Sequence, residues 1–585
     1  MIVAGLMMVS CVDTIILPDD KTVDEDFWKS KSDVQLMVNG AYKTMLNEAI
    51  IARLIVWGDL RSEEVLPSTL TGSLTDDLVE INLANTQDDN QFTDWAAFYE
   101  VINRCNMVLD RAGEVVTIDP SYTEGDYLSD CSQMLALRSL CYFYLVRNFR
   151  DVPYSEVPFM DSSQDRILLQ VSPDSVLSNC IRDLEIAEKN AILSTAYLKN
   201  DWRRVGYFTK DAINALQADI HLWRACVKHD VADYEKAIAY CDKVIESKRL
   251  QQEMVGAGAA METPKFPLMS GNGLNILISL FATQNSEESL FELQFDGNNN
   301  SNNALCQYFV AYRSGSVPYL YASNLMAGGQ GVEGAFYSGT SDADWRGEWS
   351  TATVSSSSST EGVPITKFAY DKELRYSGYS TQYAHNYIVY RLTDVMLMKA
   401  EALMGIALVY SDNSGEVDDE EETDGTDTDL INDYIAQAFE LVYAVNSRAK
   451  SEGAIEAATY NTVDKMETLI LGERLRELCF EGKRWYDLMR YNYRHITAAD
   501  YSKTFYELSR NADFVPATTD PSMLNLAKRK LGTQGEAVSA KMANEYKLYM
   551  PIPNAQISIY PTDENGEKLL HQNPGYNSSG LYEKN

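Results

Sequence analysis

Apolar residues recur at helical spacing over both ends of this chain. Between Asp33 and Leu46, the residues Val34, Met37, Val38, Ala41 and Met45 share one face of a 3.6-residue period. The same period runs through Phe92 to Val116, carried by Trp95, Phe98, Tyr99, Ile102 and Val108, and again through Cys131 to Phe149. Pro173 opens a fourth helix over Asp174 to Lys189, where its missing N–H costs nothing in a first turn. Phe208 to Ser247 predicts a helical hairpin. Ala212, Ala215, Leu216, Ala218 and Ala225 form a small-residue face, and a partner helix from Asp233 carries Tyr234, Ala237, Cys241 and Val244. A second pair is predicted at Leu392 to Ile406 and Asp433 to Arg448, with the acidic stretch Ser411 to Asp429 inserted in its turn. The middle, Gln251 to Tyr390, is rich in Gly, Ser, Asn and aromatics, with a serine run at Ser355 to Ser359 and short β-like runs such as Ser289 to Phe295. It reads as long loops. Loops of that length are functional or disordered, and the aromatic content points away from disorder.

The two predicted pairs resemble tetratricopeptide units, in which small positions on one helix accept bulky side chains from the next. At 585 residues, 45% hydrophobic and 11% aromatic, the chain can bury a large core. Its net charge of −35 argues against nucleic acid, whose phosphates need basic partners, and against a basic patch for anionic lipid. Met1 to Val9 is apolar but shorter than the roughly 20 residues that span a bilayer, and reads as the end of a secretory signal. Met8-Val9-Ser10-Cys11 resembles a lipobox. Residues 1–10 are then a lipoprotein signal segment, Cys11 the acylated residue, and residues 11–26, with Pro18, Asp19 and Asp20, an acidic tether. Each acyl methylene contributes about 0.8 kcal/mol to membrane attachment. Eight Cys follow Cys11. Their spacing is irregular, no C-x-x-C pair occurs, and Cys105, Cys141, Cys241 and Cys479 sit in apolar helical patterns, so buried free thiols are expected.

Candidate chemistry is sparse. The five His residues (221, 229, 385, 495 and 571) form no H-E-x-x-H, and no G-x-S-x-G occurs. His221 and His229, two helical turns apart, read as structural or exposed. Gly329 to Gly334 matches G-x-G-x-x-G but lacks the strand before and the helix after that a dinucleotide site needs, so a loop is expected. Asp424-Gly425, with Asp427 and Asp429, raises calcium as a candidate, but the loop frame calls for Glu where Ile431 stands. A solvated acidic loop is the expectation, with no cofactor and no metal site. Glu473 and Glu477 lie one helical turn apart and invite a glycosidase reading, which needs two carboxyls about 5 Å apart across a cleft. Arg474, Arg476 and Arg484 stand beside them in sequence, and ion pairing on a packed helix accounts for both. No catalytic residue is expected.

Leu471-Gly472-Glu473-Arg474-Leu475-Arg476-Glu477-Leu478-Cys479-Phe480-Glu481-Gly482-Lys483-Arg484-Trp485-Tyr486-Asp487-Leu488-Met489-Arg490 resembles the C-terminal signature of the SusD/RagB family. Further family-like stretches follow the family's order: Ala136-Leu137-Arg138 through Phe149-Arg150-Asp151-Val152-Pro153, Gly206-Tyr207-Phe208-Thr209-Lys210-Asp211-Ala212, Arg391-Leu392-Thr393-Asp394 through Ala400-Glu401-Ala402, Leu548-Tyr549-Met550-Pro551-Ile552-Pro553, and Gln572-Asn573-Pro574-Gly575-Tyr576. Two features depart from the pattern: Ala555-Gln556-Ile557, where the family often has Glu before Ile, and the acidic insertion. The resemblance implies a mainly α fold, a single body of tetratricopeptide-like helix pairs with long irregular loops and short strands. Residues 27–250 would form an N-terminal helical part, 251–390 a loop-rich, ligand-facing region, and 391–585 a C-terminal helical part carrying the signature. It also implies a function: a lipid-anchored, outer-surface, non-enzymatic protein that captures oligo- or polysaccharide and acts as the lid of a SusC-like TonB-dependent transporter.

Sugar rings present apolar C–H faces and polar edges, so aromatic platforms fringed by amides, carboxylates and arginine suit them. Trp345 and Trp349, with Arg346 and Glu348 between and beside them, lie in the loop-rich middle, as do Tyr319, Tyr321, Tyr376, Tyr379 and Tyr383. Gln87, Asp88 and Asn90 correspond roughly to a loop that helps bind glycan in family members. The expected ligand contacts are Trp345, Trp349, Tyr319, Tyr321, Arg346, Asn90 and Tyr379. For each aromatic the plain alternative is that it pins a long loop, and Trp57, Trp95 and Trp485 are expected in the core. Three rival functions stay open: a peptide-capturing lid, which needs backbone-pairing edges; a surface glycosidase, which needs two opposed carboxylates; and a purely structural adhesion role.

Overall fold

The computed structural model describes residues 27–69, 72–160, 164, 167–256, 265–310, 317–328, 334–336, 344–352, 362–370, 383–414, 425–450, 454–495, 523–542 and 545–576. Residues 1–26 with Cys11, Gly329 to Glu333 of the glycine-rich motif, the serine run, Tyr376 and Tyr379, and residues 415–424 of the acidic insertion lie outside the described residues.

Twelve of the helices set the frame: α1 Lys31–Met45, α2 Glu48–Ile55, α3 Ser73–Asn82, α4 Ala96–Ile118, α5 Glu124–Phe149, α6 Pro173–Asn190, α7 Lys210–Lys228, α8 Val231–Gly256, α9 Leu392–Ser414, α10 Gly425–Ala449, α11 Val463–Leu478 and α12 Arg484–Arg494. Local chemistry explains where several begin. Ser30 with Asp33 and Thr123 with Asp126 form reciprocal capping boxes on α1 and α5, and Ser172 caps α6 just ahead of Pro173. The helix predicted from Phe92 starts at Ala96 instead. Asn90 caps a separate 3₁₀ turn over Gln91–Thr93 by accepting from the Phe92 N–H.

From α4 onward the long helices form an array. α1 packs on α4, α4 on α5, α5 on α6, α6 on α7, α7 on α8, α8 on α9, α9 on α10, and α11 closes against α9 and α10. The α7/α8 and α9/α10 hairpins correspond to the predicted tetratricopeptide-like pairs, but α9 runs on to Ser414 and α10 starts at Gly425, so both ends of the acidic stretch predicted as a loop are helical. The two hairpins meet where Gly405 of α9 touches the Tyr234 ring of α8, and a Cβ on Gly405 would overlap that ring. α5 is the central rod. Every side chain from Ser132 to Phe149 is buried, so it shows little amphipathic contrast. Its buried arginines find partners inside the protein, with Arg138 donating to Asn106 Oδ1 at 2.7 Å and Arg147 paired to Asp219 at 3.4 Å. Trp57, Trp95 and Trp485 lie in the core, as expected. The eight described cysteines are free thiols, seven buried and Cys131 half-buried.

The middle is more structured than its composition suggests. Six short strands pair antiparallel: β1 Val65–Pro67 with β5 Leu320–Ala322, β2 Val152–Pro153 with β3 Gln170–Val171, and β4 Ser289–Leu293 with β6 Tyr387–Arg391. β4 and β6 are buried throughout, and β6 runs directly into α9. Short helices at Gly273–Leu277, Asn303–Phe309 and Trp345–Ser350 complete this region. No helix among the described residues is long and apolar enough to cross a membrane.

Candidate functional site

α11 and the turn that follows it carry three carboxylates that face arginines from distant segments. Glu473 accepts from Arg346 at 2.7 Å, Asn446 at 2.7 Å and Arg476 at 2.8 Å. Glu477 accepts from Arg391 at 2.6 Å and Arg448 at 2.9 Å through Oε1, and from Arg346 at 2.9 Å through Oε2. Glu481, in the turn after the helix, is held by both faces of the Arg391 fork at 2.9 Å and by Lys367 Nζ at 2.7 Å. Burial opposes ionisation of Glu473, but Arg346 and Arg476 overcome it and hold the carboxyl at about 2. Glu477 is likewise held well below the usual carboxylate range, against burial, by Arg391, Arg448 and Arg346. A second layer joins Arg474, Asp394 and Asp487 to Arg490, Glu401 and Arg494. The signature is thus a buried ionic lattice that ties α9, α11 and α12 to the loop-rich middle. Glu473 is fully enclosed and both Glu477 oxygens are taken, so this pair has no oxygen free to act on a glycosidic bond.

The face of this lattice toward the middle region borders a small cleft of about 20 Å³, room for about one water. Gly273, Ile276, Leu277, Leu280 and Phe281 supply an apolar wall, while Arg346, Arg391, Arg448 and Glu477 supply a charged floor. Trp345 stands half-buried at its side. Its indole lies directly on Gly273, where a Cβ would overlap Cδ1 and Cγ, so the glycine is what lets the ring seat there. The short helix that bears Trp345 starts at Asp344, whose side chain accepts from the Arg346 N–H at 3.0 Å and also binds the Arg346 guanidinium at 2.9 Å.

The sequence-predicted site residues fall into two neighbourhoods. Trp345, Arg346 and Trp349 share one helical turn. Arg346 points inward, enclosed by Asp344, Glu473 and Glu477. Trp349 is also interior: its Nε1 donates to the Lys367 carbonyl at 3.1 Å and its ring lies 5.5 Å from Tyr370. The second neighbourhood gathers around Tyr308, 5.4 Å from the half-buried Tyr319 ring and 6.4 Å from Phe92. Here Asn90 is buried. Besides capping Phe92, it donates to the Asp77 carbonyl and to Glu80, both at 3.0 Å. Tyr321 is buried in β5, opposite Leu66. Residues 363–366 run between the two neighbourhoods, bridging to Ala322 on one side and to Thr351 on the other. Tyr383 is fully buried and donates its hydroxyl to the Phe368 carbonyl. Sequence reasoning did not single out Gly273, Phe281, Lys367 or Arg448. Arg391 appeared only as part of a motif, and nothing local to Gly273 signals that it seats a tryptophan.

Comparison with known proteins agrees with this architecture. A model of the SusD family matches residues 295–576, which include the cleft's Trp345 helix and the entire ionic lattice segment. The family model, the curated relatives and the solved structures all support the SusD/RagB family. Two SusD-like proteins of Formosa agariphila are 25% identical over 518 residues, covering 81% of this chain and 86% of the relative, and 24% identical over 513 residues, covering 84% and 89%. Among solved structures, a SusD superfamily protein of Bacteroides fragilis superposes with a TM-score of 0.63 at 18% identity, covering 94% of this chain and 100% of the other. A structure described as a laminarin binding SusD-like protein superposes with a TM-score of 0.58, also at 18% identity and the same coverage. At those identities the SusD fold is the shared property.

Proposed function

We propose that this protein is a SusD-family surface binding protein that captures an oligo- or polysaccharide without cleaving it. The observation that carries the reading is Trp345: a half-buried indole seated on Gly273 at the edge of a small cleft, with arginine and carboxylate groups fixed behind it. Such a ring offers an apolar face to a pyranose with little conformational freedom left to lose. The laminarin-binding neighbour supports a carbohydrate ligand for this fold. Within this proposal Trp345 and Tyr319 contact the ligand. Arg346, Trp349, Asn90 and Tyr321 hold those contacts in place from the interior. Tyr379 and the acylated Cys11 complete the proposal from segments outside the described residues. Lipid anchoring at Cys11 in the outer membrane, facing outward, and delivery to a SusC-like TonB-dependent transporter as its lid belong to the same reading.

The test is native gel electrophoresis of the unacylated protein through gels cast with individual polysaccharides, laminarin among them, with released reducing sugar measured in parallel. Retardation by at least one polysaccharide without sugar release is expected. Sugar release would replace the binding reading with a hydrolase. Free migration in every gel, with binding of oligopeptides instead, would move the cargo to peptide.

A further inference from the structure

Beneath the signature turn lies a group of acids that neither the ionic lattice nor the cleft uses. The π-helical turn Val56–Leu60 brings Asp59 under the backbone of Phe480–Gly482, so closely that a Cβ on Gly58 would overlap the Gly482 carbonyl. Asp59 Oδ1 accepts from the Gly482 N–H at 2.9 Å, and Glu64 Oε2 accepts from the Phe480 N–H at 3.4 Å. Both acids are buried, Asp59 completely and Glu64 at 1% exposure. Their other oxygens, Asp59 Oδ2 and Glu64 Oε1, have no donor among the described residues, yet the two carboxyls lie within hydrogen-bonding reach of each other. Two ionised carboxylates so placed would repel, and both orphan oxygens would go unsatisfied. A single proton held by the pair removes that repulsion and gives it a donor.

We propose that Asp59 and Glu64 hold one proton between them at neutral pH and form a proton-dependent clasp on the Phe480–Gly482 turn. The surrounding charges fit a pair carrying one negative charge. Glu63, next in sequence to Glu64, is neutralised by Arg484 at 2.8 Å. Lys530 donates to the Leu60 and Ser62 carbonyls at 2.8 and 2.7 Å, but burial lowers its ammonium to about 7, so it offers Glu63 and Glu64 only a partial cation at neutral pH. From the turn side, Lys367 faces Asp59 and is itself committed to Glu481. Glu481, Cys479 and the Tyr387 hydroxyl complete the ring of titratable neighbours. Loss of the shared proton to solvent takes the pair from one negative charge to two with no second cation to meet it. The same turn carries Glu481, whose carboxylate holds Arg391 of the cleft floor at 2.9 Å, so one ion pair joins the clasp to the candidate cleft.

Burial lifts both carboxyls above their ordinary range, Asp59 to about 7. An acid that binds its proton more tightly in the folded chain loses stability as pH rises from the ordinary carboxyl range upward. Glu64→Gln, which supplies a permanent donor in the same shape, is therefore expected to melt about 3 °C higher than wild type at pH 8 and to match it at pH 4.5. The wild type alone gives the second readout. Its infrared spectrum at pH 7.5 is expected to contain a protonated-carboxyl C=O band that is absent from both Glu64→Gln and Asp59→Asn. A wild-type spectrum without that band, or a Glu64→Gln variant less stable than wild type at pH 8, would overturn the proposal.

Discussion

Glu473→Gln tests whether the signature helix is held by charge. Glu473 is wholly buried and receives Arg346, Arg476 and Asn446, with the Arg346 and Asn446 contacts at 2.7 Å. Holding this carboxyl at about 2 rather than its ordinary 4.5 corresponds to roughly 3 kcal/mol in favour of the ionised form. That agrees with the cost of about 3–5 kcal/mol for breaking a buried ion pair by removing one partner. Glutamine keeps one acceptor, but it loses the charge and turns an amide N–H₂ toward a guanidinium. The expected loss at pH 7 is about 3 kcal/mol, read as a lower urea midpoint and melting temperature. The sign with pH follows from the lowered value. The carboxylate's contribution is complete above the ordinary carboxyl range and disappears as pH falls toward about 2. Wild type and variant should therefore converge between pH 5 and 2. A loss below about 1 kcal/mol at pH 7, or a gap that stays constant down to pH 2, would refute the reasoning.

Two further perturbations probe packing. Gly482 has φ +71°, and a Cβ there would overlap the Tyr387 hydroxyl and lie 2.8 Å from the Leu54 carbonyl oxygen; Gly482→Ala should yield no soluble folded protein on expression, and a normal melting curve would contradict the packing described. Burial pushes the Cys105 thiol up to about 12 and raises Cys141 as well; iodoacetamide should leave both unmodified in native protein at pH 8 and label them only in denaturant, as read by peptide mass spectrometry.

The long helices were legible because each had enough turns for its apolar period to show, and α6 even announced its start through Pro173. The hairpins followed from small residues such as Ala212 and Ala215 on one helix and Tyr234 on the next. The middle was not legible because its order comes from partners far away in sequence. β4 is completed by β6 nearly a hundred residues later, and a lone five-residue strand carries little signal of its own. The same reason governs the site. Glu473 and Glu477 could be read as ion-paired, but their main partners Arg346, Arg391 and Arg448 come from other elements. Adjacent residues on one short helix diverge. Trp345 borders the cleft while Arg346 and Trp349 turn into the protein, and the packing of that helix on the Gly273–Leu277 helix and on α11 decides which faces out. Asn90 illustrates a polar loop residue whose groups are all used by local backbone and Glu80.

The central claim is that Trp345 is the platform on which a glycan sits. Calorimetric titration of wild type and Trp345→Ala with the polysaccharide that wild type binds best tests it most directly, with the melting temperature of both proteins recorded alongside. We expect an affinity loss of about tenfold or more with little change in melting temperature. Equal affinity in a normally folded Trp345→Ala protein would contradict the account and place the ligand elsewhere on the molecule.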